Sequence, residues 1–189
     1  MTTAEKEQVD LERATNAITQ FLDAFNLDEG DHTANTPYRV AKAWEERLHG
    51  YQEDPRNHLS VTFSAPAEPG LVIVRNVKIQ STCAHHLLPI TGVATIAYRP
   101  KPGSRVVGLS KLSRLAEGYA RRLQVQENIT AQITNALWEV LDPQWAACAI
   151  EAEHGCMKLR GVKDACSDTL TFNEKGISTM NDIQAFWHN

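Results

Sequence analysis

The stretch LSKLSRLAEGYARRLQVQENITAQITNALWEVL, Leu109 to Leu141, decides the architecture. Leu112, Leu115, Ala116 and Tyr119 recur at helical spacing, and so do Ile129, Ile133, Leu137 and Val140, with a break near Gln124 to Gln126. Two consecutive helices are predicted. The sequence on either side has a different chemistry. Before the helices, LVIVRNVKI (71–79) and GVATIAYRP (92–100) are rich in Val, Ile and Tyr and bounded by Gly and Pro, the composition of strands. After them and a DPQ turn, WAACAIEAEHGC (145–156) alternates. That parity predicts Cys148, Ile150, Ala152, His154 and Cys156 facing inward, with Glu151 and Glu153 outward. SDTLTF (167–172) adds a further expected strand, and the tail ends in a polar segment containing Phe186 and Trp187.

Working back toward the N-terminus, residues 51–70 carry Pro55, Pro66, Pro69 and Gly70 and read as loop, with a short strand at LSVTF (59–63). TPYRVAKAWEERLHG (36–50) is a predicted helix with Thr36 as N-cap, Pro37 in the first turn and Gly50 as its stop. From Ala4 to Phe25, Val9, Ala14, Ile18, Phe21, Leu22 and Phe25 make an amphipathic helix, joined to the next by the polar NLDEGDHTAN. The expected organisation is an N-terminal helical region with its connecting loop, 1–70, followed by the main domain, 71–189.

The composition, 42% hydrophobic and 22% charged over 189 residues, is that of a soluble globular protein. A formal charge of −4 argues against nucleic acid or an anionic membrane as partner, because both recruit electropositive surface. The first residues lack the basic flank and apolar run of a secretory signal, and no segment approaches the ~18 apolar residues of a membrane span. A cytoplasmic protein is expected. In a reducing compartment Cys83, Cys148, Cys156 and Cys166 are better read as core residues, metal ligands or nucleophiles than as disulfides.

Two ligand-spaced pairs stand out. STCAHHLLPITG, Ser81 to Gly92, lies between two predicted strands and sets Cys83 and His86 at C-x-x-H spacing; His154 and Cys156 have H-x-C spacing. Thiolate and imidazole suit Zn²⁺, and two thiolates with one imidazole leave a fourth position open for water, as in catalytic sites. A closed structural site with His154 as fourth ligand is the alternative, and the plainest reading makes these residues unrelated core and surface groups.

STCAHHLLPITG, VVGLSKLSRLAEGYARRLQVQENITAQI and EHGCMKLRGVKDACSDT resemble, in order and spacing, the signature segments of the GTP cyclohydrolase I family, and TPYRVAKAW resembles its N-terminal helical part. The resemblance spans Thr36 to Thr171. It implies an α+β chain of T-fold type: an antiparallel sheet backed by two helices, assembling into a barrel-like homo-oligomer, typically a decamer, with active sites between subunits. It implies opening of the guanine imidazole ring of GTP, release of formate and reclosure to 7,8-dihydroneopterin triphosphate.

Carried over by position, the Zn²⁺ ligands are Cys83, His86 and Cys156, and the catalytic histidines are His85 and His154. The resemblance implies that the metal would activate water for attack at C8, with His154 protonating the ring nitrogen and His85 assisting. Glu127 is the guanine-recognising carboxylate, with Gln126 in the same purine pocket. Arg39, Ser110, Lys111, Arg114 and Arg160 match the triphosphate set, and Ser110 is counted with the catalytic residues as well. Ser110 also reads as an N-cap, so helix N–H groups could help hold an anion there. Arg121 and Arg122 are expected to be solvated surface.

The chain departs from the family pattern at Ala84, where a glutamate is usual, at Lys163, where an arginine is usual, and throughout the segment after Phe172. Three functions follow as rivals: the standard enzyme, serving folate, pterin or 7-deazaguanine synthesis; a T-fold enzyme taking a related purine such as a deoxynucleotide, or stopping at a ring-opened product; and a non-catalytic purine- or pterin-binding assembly protein. Retention of Glu127, both histidines and the ligand triad favours the first.

Overall fold

The computed structural model describes residues 9–27 and 30–188. The chain opens with a helical hairpin. α1 (Leu11–Ala24) begins where the Asp10 carboxylate accepts from the Arg13 backbone N–H at 2.9 Å, and it packs against α2 (Thr36–Arg47). The expected start at Ala4 lies outside the described residues. No residue of α1 is buried, and Phe21 and Phe25, in ring contact at 5.0 Å, remain more than half exposed.

α2 starts differently from the sequence expectation. Asn35 holds the cap position without a side-chain hydrogen bond, Thr36 is already helical, and Pro37 is tolerated because N–H groups of the first turn have no intrahelical partner. Nor does Gly50 stop this helix, which ends at Arg47. Gly50 sits in a 3₁₀ turn (His49–Gln52) pressed on a later helix, where a Cβ would come within 2.3 Å of Gly118 O and 2.7 Å of Arg121 O. Its missing side chain permits a close backbone approach. A further 3₁₀ turn (Pro55–Leu59) buries Leu59, so the short strand β1 (Thr62–Ser64) begins later than expected; it pairs with β4 (Arg105–Val107) in a two-stranded sheet.

The main sheet has the order β5-β2-β3-β6-β7. β2 (Val72–Cys83), β3 (Pro89–Arg99), β6 (Trp145–His154) and β7 (Thr169–Gly176) are antiparallel neighbours, and β5 (Leu123–Gln124) adds a two-residue parallel pairing at the end of β2. The two long helices predicted between the strand runs are α3 (Leu109–Ala120) and α4 (Gln126–Leu141). The T-fold expectation holds for the single chain. Ile79, Ile90, Ile96, Cys148 and Ile150 face Leu112, Leu115, Ile129, Ile133 and Leu137 in one cluster, each with no more than 1% exposure. Burial of one such aliphatic side chain stabilises by about 1.5–3 kcal/mol. Burial also pushes the Cys148 thiol well above its ordinary value, which marks it as an inert core residue.

The opposite face of the sheet is covered near Trp145 by α6 (Met180–Trp187), a helix that the sequence reading left as a polar tail. Thr179 and Asp182 form a reciprocal capping box, and Phe186 meets Trp145 edge-on at 5.9 Å. Eight residues carrying Ile183 and Phe186 are too few to display a helical period. Arg121 and Arg122 also depart from expectation. Arg122 donates to Gly50 O at 3.0 Å and Glu53 O at 3.1 Å while lying over the rings of Tyr51 and Tyr119, and Arg121 donates to Gln80 Oε1 at 3.1 Å. Both clamp α3 to its surroundings. Among the described residues, no helix is long and apolar enough to cross a membrane.

Candidate metal centre

One end of the sheet gathers the chemistry. In the strand register Ser81 faces Ile90 and Ile90 faces His154, so β2 ends, β3 begins and β6 ends at the same level. Between β2 and β3 the chain turns through Ala84 to Leu87: Leu87 N donates to Cys83 O at 2.9 Å and Cys83 N to Leu88 O at 2.8 Å, with Leu87 in the left-handed region at φ 56°. The turn leaves His85 and His86 exposed above a buried Cys83. From behind, Ala84 N donates to Gln124 O at 2.9 Å, and Arg47 Nη2 donates to Ser81 O at 3.1 Å and Thr82 Oγ1 at 2.8 Å. The ligand turn is thus held by β5 and α2 as well as by its own strands.

Cys156 arrives by a different route from the one its parity suggests. β6 stops at His154, and Cys156 lies in α5 (Gly155–Lys158), a single helical turn that carries it toward Cys83. Gly155 fits under Pro89 there; a Cβ would meet Pro89 Cδ at 3.0 Å and Pro89 O at 3.2 Å. One donor atom each from Cys83, His86 and Cys156 then lies within 4.8 Å of the others, with Cys83 Sγ and His86 Nδ1 3.9 Å apart. Tetrahedral Zn²⁺, with Zn–S ~2.3 Å and Zn–N ~2.0 Å, sets neighbouring donors about 3.5–3.8 Å apart. Small side-chain movements would close the triad. The Cys156 thiol is pushed above its ordinary value by burial and then by the neighbouring Cys83. Donor chemistry and spacing both fit a zinc ion.

His154 stands beside the triad without joining it. Its Nε2 is 2.7 Å from Gln126 Oε1, and burial lowers its basicity while the Glu127 carboxylate pulls the other way. Glu127 is exposed in the first turn of α4. Arg160 is at this end too, its Nη1 2.7 Å from His86 Nε2. The other expected phosphate contacts are elsewhere. Ser110, Lys111 and Arg114 are on the first turns of α3, with Gly108 rather than Ser110 at the cap position, and Arg39 is exposed on α2. It is the C-terminal end of α3 that meets the metal turn, where Ser81 Oγ donates to Arg122 O at 3.4 Å. At 1.5 Å per residue, Ser110 is about 15 Å from that end.

The family assignment agrees with this geometry. The sequence profile described as GTP cyclohydrolase I matches residues 14–185. The chain belongs to the GTP cyclohydrolase I family. A relative named GTP cyclohydrolase 1 from Corynebacterium glutamicum is 47% identical over 170 residues, 89% of this chain and 86% of the relative. The protein of that name from Carboxydothermus hydrogenoformans is 43% identical over 89% of this chain and 88% of its own, and that from Streptomyces coelicolor 38% identical over 94% and 90%. GTP cyclohydrolase I enzymes are zinc-dependent in general, and the Cys-His-Cys group is a site that could hold the ion.

Arg47, and the pairing of Gln126 with His154 rather than with the purine, escaped the sequence reading. Arg47 is 34 residues from Ser81, and the Gln126 side chain is 28 residues from His154. Neither pairing has a local spacing that announces it.

Proposed function

We propose that this chain hydrolyses the guanine imidazole ring of GTP at C8, releases formate and forms 7,8-dihydroneopterin triphosphate, with Zn²⁺ held by Cys83, His86 and Cys156. The observation that carries the reading is the convergence of those donors, from a strand end, a turn and a helical turn, beside a part-buried histidine that is not one of them. When bound, zinc supplies Lewis acidity that activates water near neutral pH.

The protein's own groups supply the rest. His154, held at one ring nitrogen, exchanges a proton with the purine as the ring opens, and the exposed His85 assists from the metal turn. The Glu127 carboxylate accepts from both the ring N–H and the exocyclic amine of guanine, a pair of donors that adenine lacks. Arg160, with Arg39, Ser110, Lys111 and Arg114, binds the triphosphate by charge-assisted hydrogen bonds. Ser110, Lys111 and Arg114 are about 9 to 15 Å along α3 from the metal end of their own chain. That separation supports a site completed by the start of α3 from a neighbouring subunit, in a homo-oligomer for which the family suggests a decamer.

The test is mass spectrometry of products from zinc-loaded protein and GTP, scoring formate and dihydroneopterin triphosphate together. Both are expected. Formate with only a ring-opened nucleotide would indicate arrested rearrangement, and neither product with zinc bound would overturn the reading in favour of another purine substrate or of a binding protein.

A further inference from the structure

Gln126 is among the most enclosed polar residues of the molecule, 1% exposed, and both ends of its amide are engaged by the protein. One end lies 2.8 Å from Ile150 O, 2.8 Å from Thr169 O and 3.1 Å from Thr171 Oγ1. The other lies 2.7 Å from His154 Nε2. A backbone carbonyl only accepts, so the end that faces two of them must be the NH₂ group. The oxygen therefore faces His154.

The neighbouring hydroxyls agree with this assignment. Thr130 Oγ1 donates to Gln126 O at 2.9 Å, which leaves it to accept from Thr171 Oγ1 at 2.6 Å. Thr171 then has a lone pair free for the Gln126 NH₂ group. The two NH₂ protons are shared among three acceptors, and no alternative amide orientation satisfies both carbonyls.

The consequence falls on His154. An amide oxygen can only accept, so Nε2 must carry a proton, and in the neutral ring Nδ1 is then the free base. We infer that Gln126 is a positioning residue that locks neutral His154 in the Nε2–H form and makes Nδ1 the nitrogen that exchanges protons in the reaction. The inference builds on the proposed role of His154 and replaces a substrate contact for the Gln126 side chain, whose polar atoms are already taken. Donation to a fixed acceptor also orients the ring, as the outer partners of working histidines commonly do.

Neutron diffraction of the deuterium-exchanged, zinc-loaded enzyme without nucleotide, at about pH 8.5 and so above the usual imidazole range, reads the proton positions directly. Deuterium on His154 Nε2 with none on Nδ1, and the Gln126 ND₂ group toward Ile150 and Thr169, is the expected result. Deuterium on Nδ1 with none on Nε2 overturns the inference. This readout needs no turnover, so it stands apart from the identity of the substrate. Kinetics of Gln126→Met at wild-type zinc content give the second arm. Turnover should fall about 10²-fold with KM for GTP within about twofold, whereas a raised KM with kcat retained would make Gln126 a substrate contact. If Gln126→Met does not fold, the neutron result decides alone.

Discussion

The Arg99 guanidinium meets the buried carboxylate of Asp182 through Nε, at 3.1 and 3.2 Å from its two oxygens, and through Nη2. This pair fastens α6 to the end of β3, and the same carboxylate closes the capping box by accepting from Thr179 N at 2.9 Å. Burial pushes Asp182 up, but hydrogen bonds from Arg99 and Thr179 and the Arg99 charge outweigh it and hold the carboxyl below its ordinary value.

Asp182→Ala should therefore cost about 2–3 kcal/mol, below the 3–5 of a fully buried pair because Arg99 keeps water on one side. The sign of the pH dependence follows from the depressed pKa. Stability from Asp182 is complete above the unfolded value near 3.9 and is lost as pH falls through the lower folded value. Denaturation midpoints of wild type and variant should stay a constant distance apart from neutrality to about pH 5 and converge in stronger acid. Amide exchange in α6 should accelerate in the variant; unchanged exchange would show that Phe186 and Ile183 suffice.

Metal content separates an open site from a closed one. Cys83→Ser, Cys156→Ser and His86→Ala each remove a donor from the triad, so zinc retained after dialysis should drop well below one per chain. His154→Ala should keep its zinc while losing about 10²–10⁴-fold in turnover, the usual range for a general acid or base. Loss of zinc from His154→Ala, by elemental analysis, would return His154 to the ligand set.

Glu127 should act through base recognition. Hydrogen bonds to a charged group contribute about 1.5–3 kcal/mol, so Glu127→Ala should raise KM for GTP roughly 10–100-fold. Inosine triphosphate lacks the exocyclic amine, so the wild-type preference for GTP over it should collapse in the variant. Preserved discrimination would place guanine recognition elsewhere.

How much of this was legible before the fold depends on sequence distance. Four candidate ligands showed because C-x-x-H and H-x-C are local spacings, with the family resemblance needed to select three of them, and the helix pair showed because α3 and α4 are long enough to display their period. The alternation of WAACAIEAEHGC was right up to His154 and failed at Cys156, since parity carries no signal for a strand ending at Gly155 and turning helical. Ser110 and Thr36 looked like caps because a hydroxyl in the first turn resembles one at the boundary, where Gly108 and Asn35 stand. Arg122 could not be read at all, since its carbonyl partners are 69 and 72 residues away. Ala84, the departure from the family loop, is exposed and contributes its backbone N–H to Gln124, so the turn itself does not require a glutamate there.

A composite site makes a prediction that no single-chain site shares. Cys156→Ser removes a proposed zinc donor at one end of the sheet, and Arg114→Ala removes a proposed phosphate contact midway along α3, about 9 Å from the end of the helix that meets the metal turn. Each homo-oligomer alone should be inactive or nearly so. If the two sets meet across a repeating head-to-tail interface, co-assembly of equal amounts leaves about a quarter of the sites with both halves intact, and activity should recover to about that fraction of wild type. Mixing preformed oligomers without subunit exchange should recover nothing. Absence of recovery in co-expressed, verified hetero-oligomers would mean that both sets serve the same subunit, and that α3 must reorganise to bring Ser110, Lys111 and Arg114 to the metal.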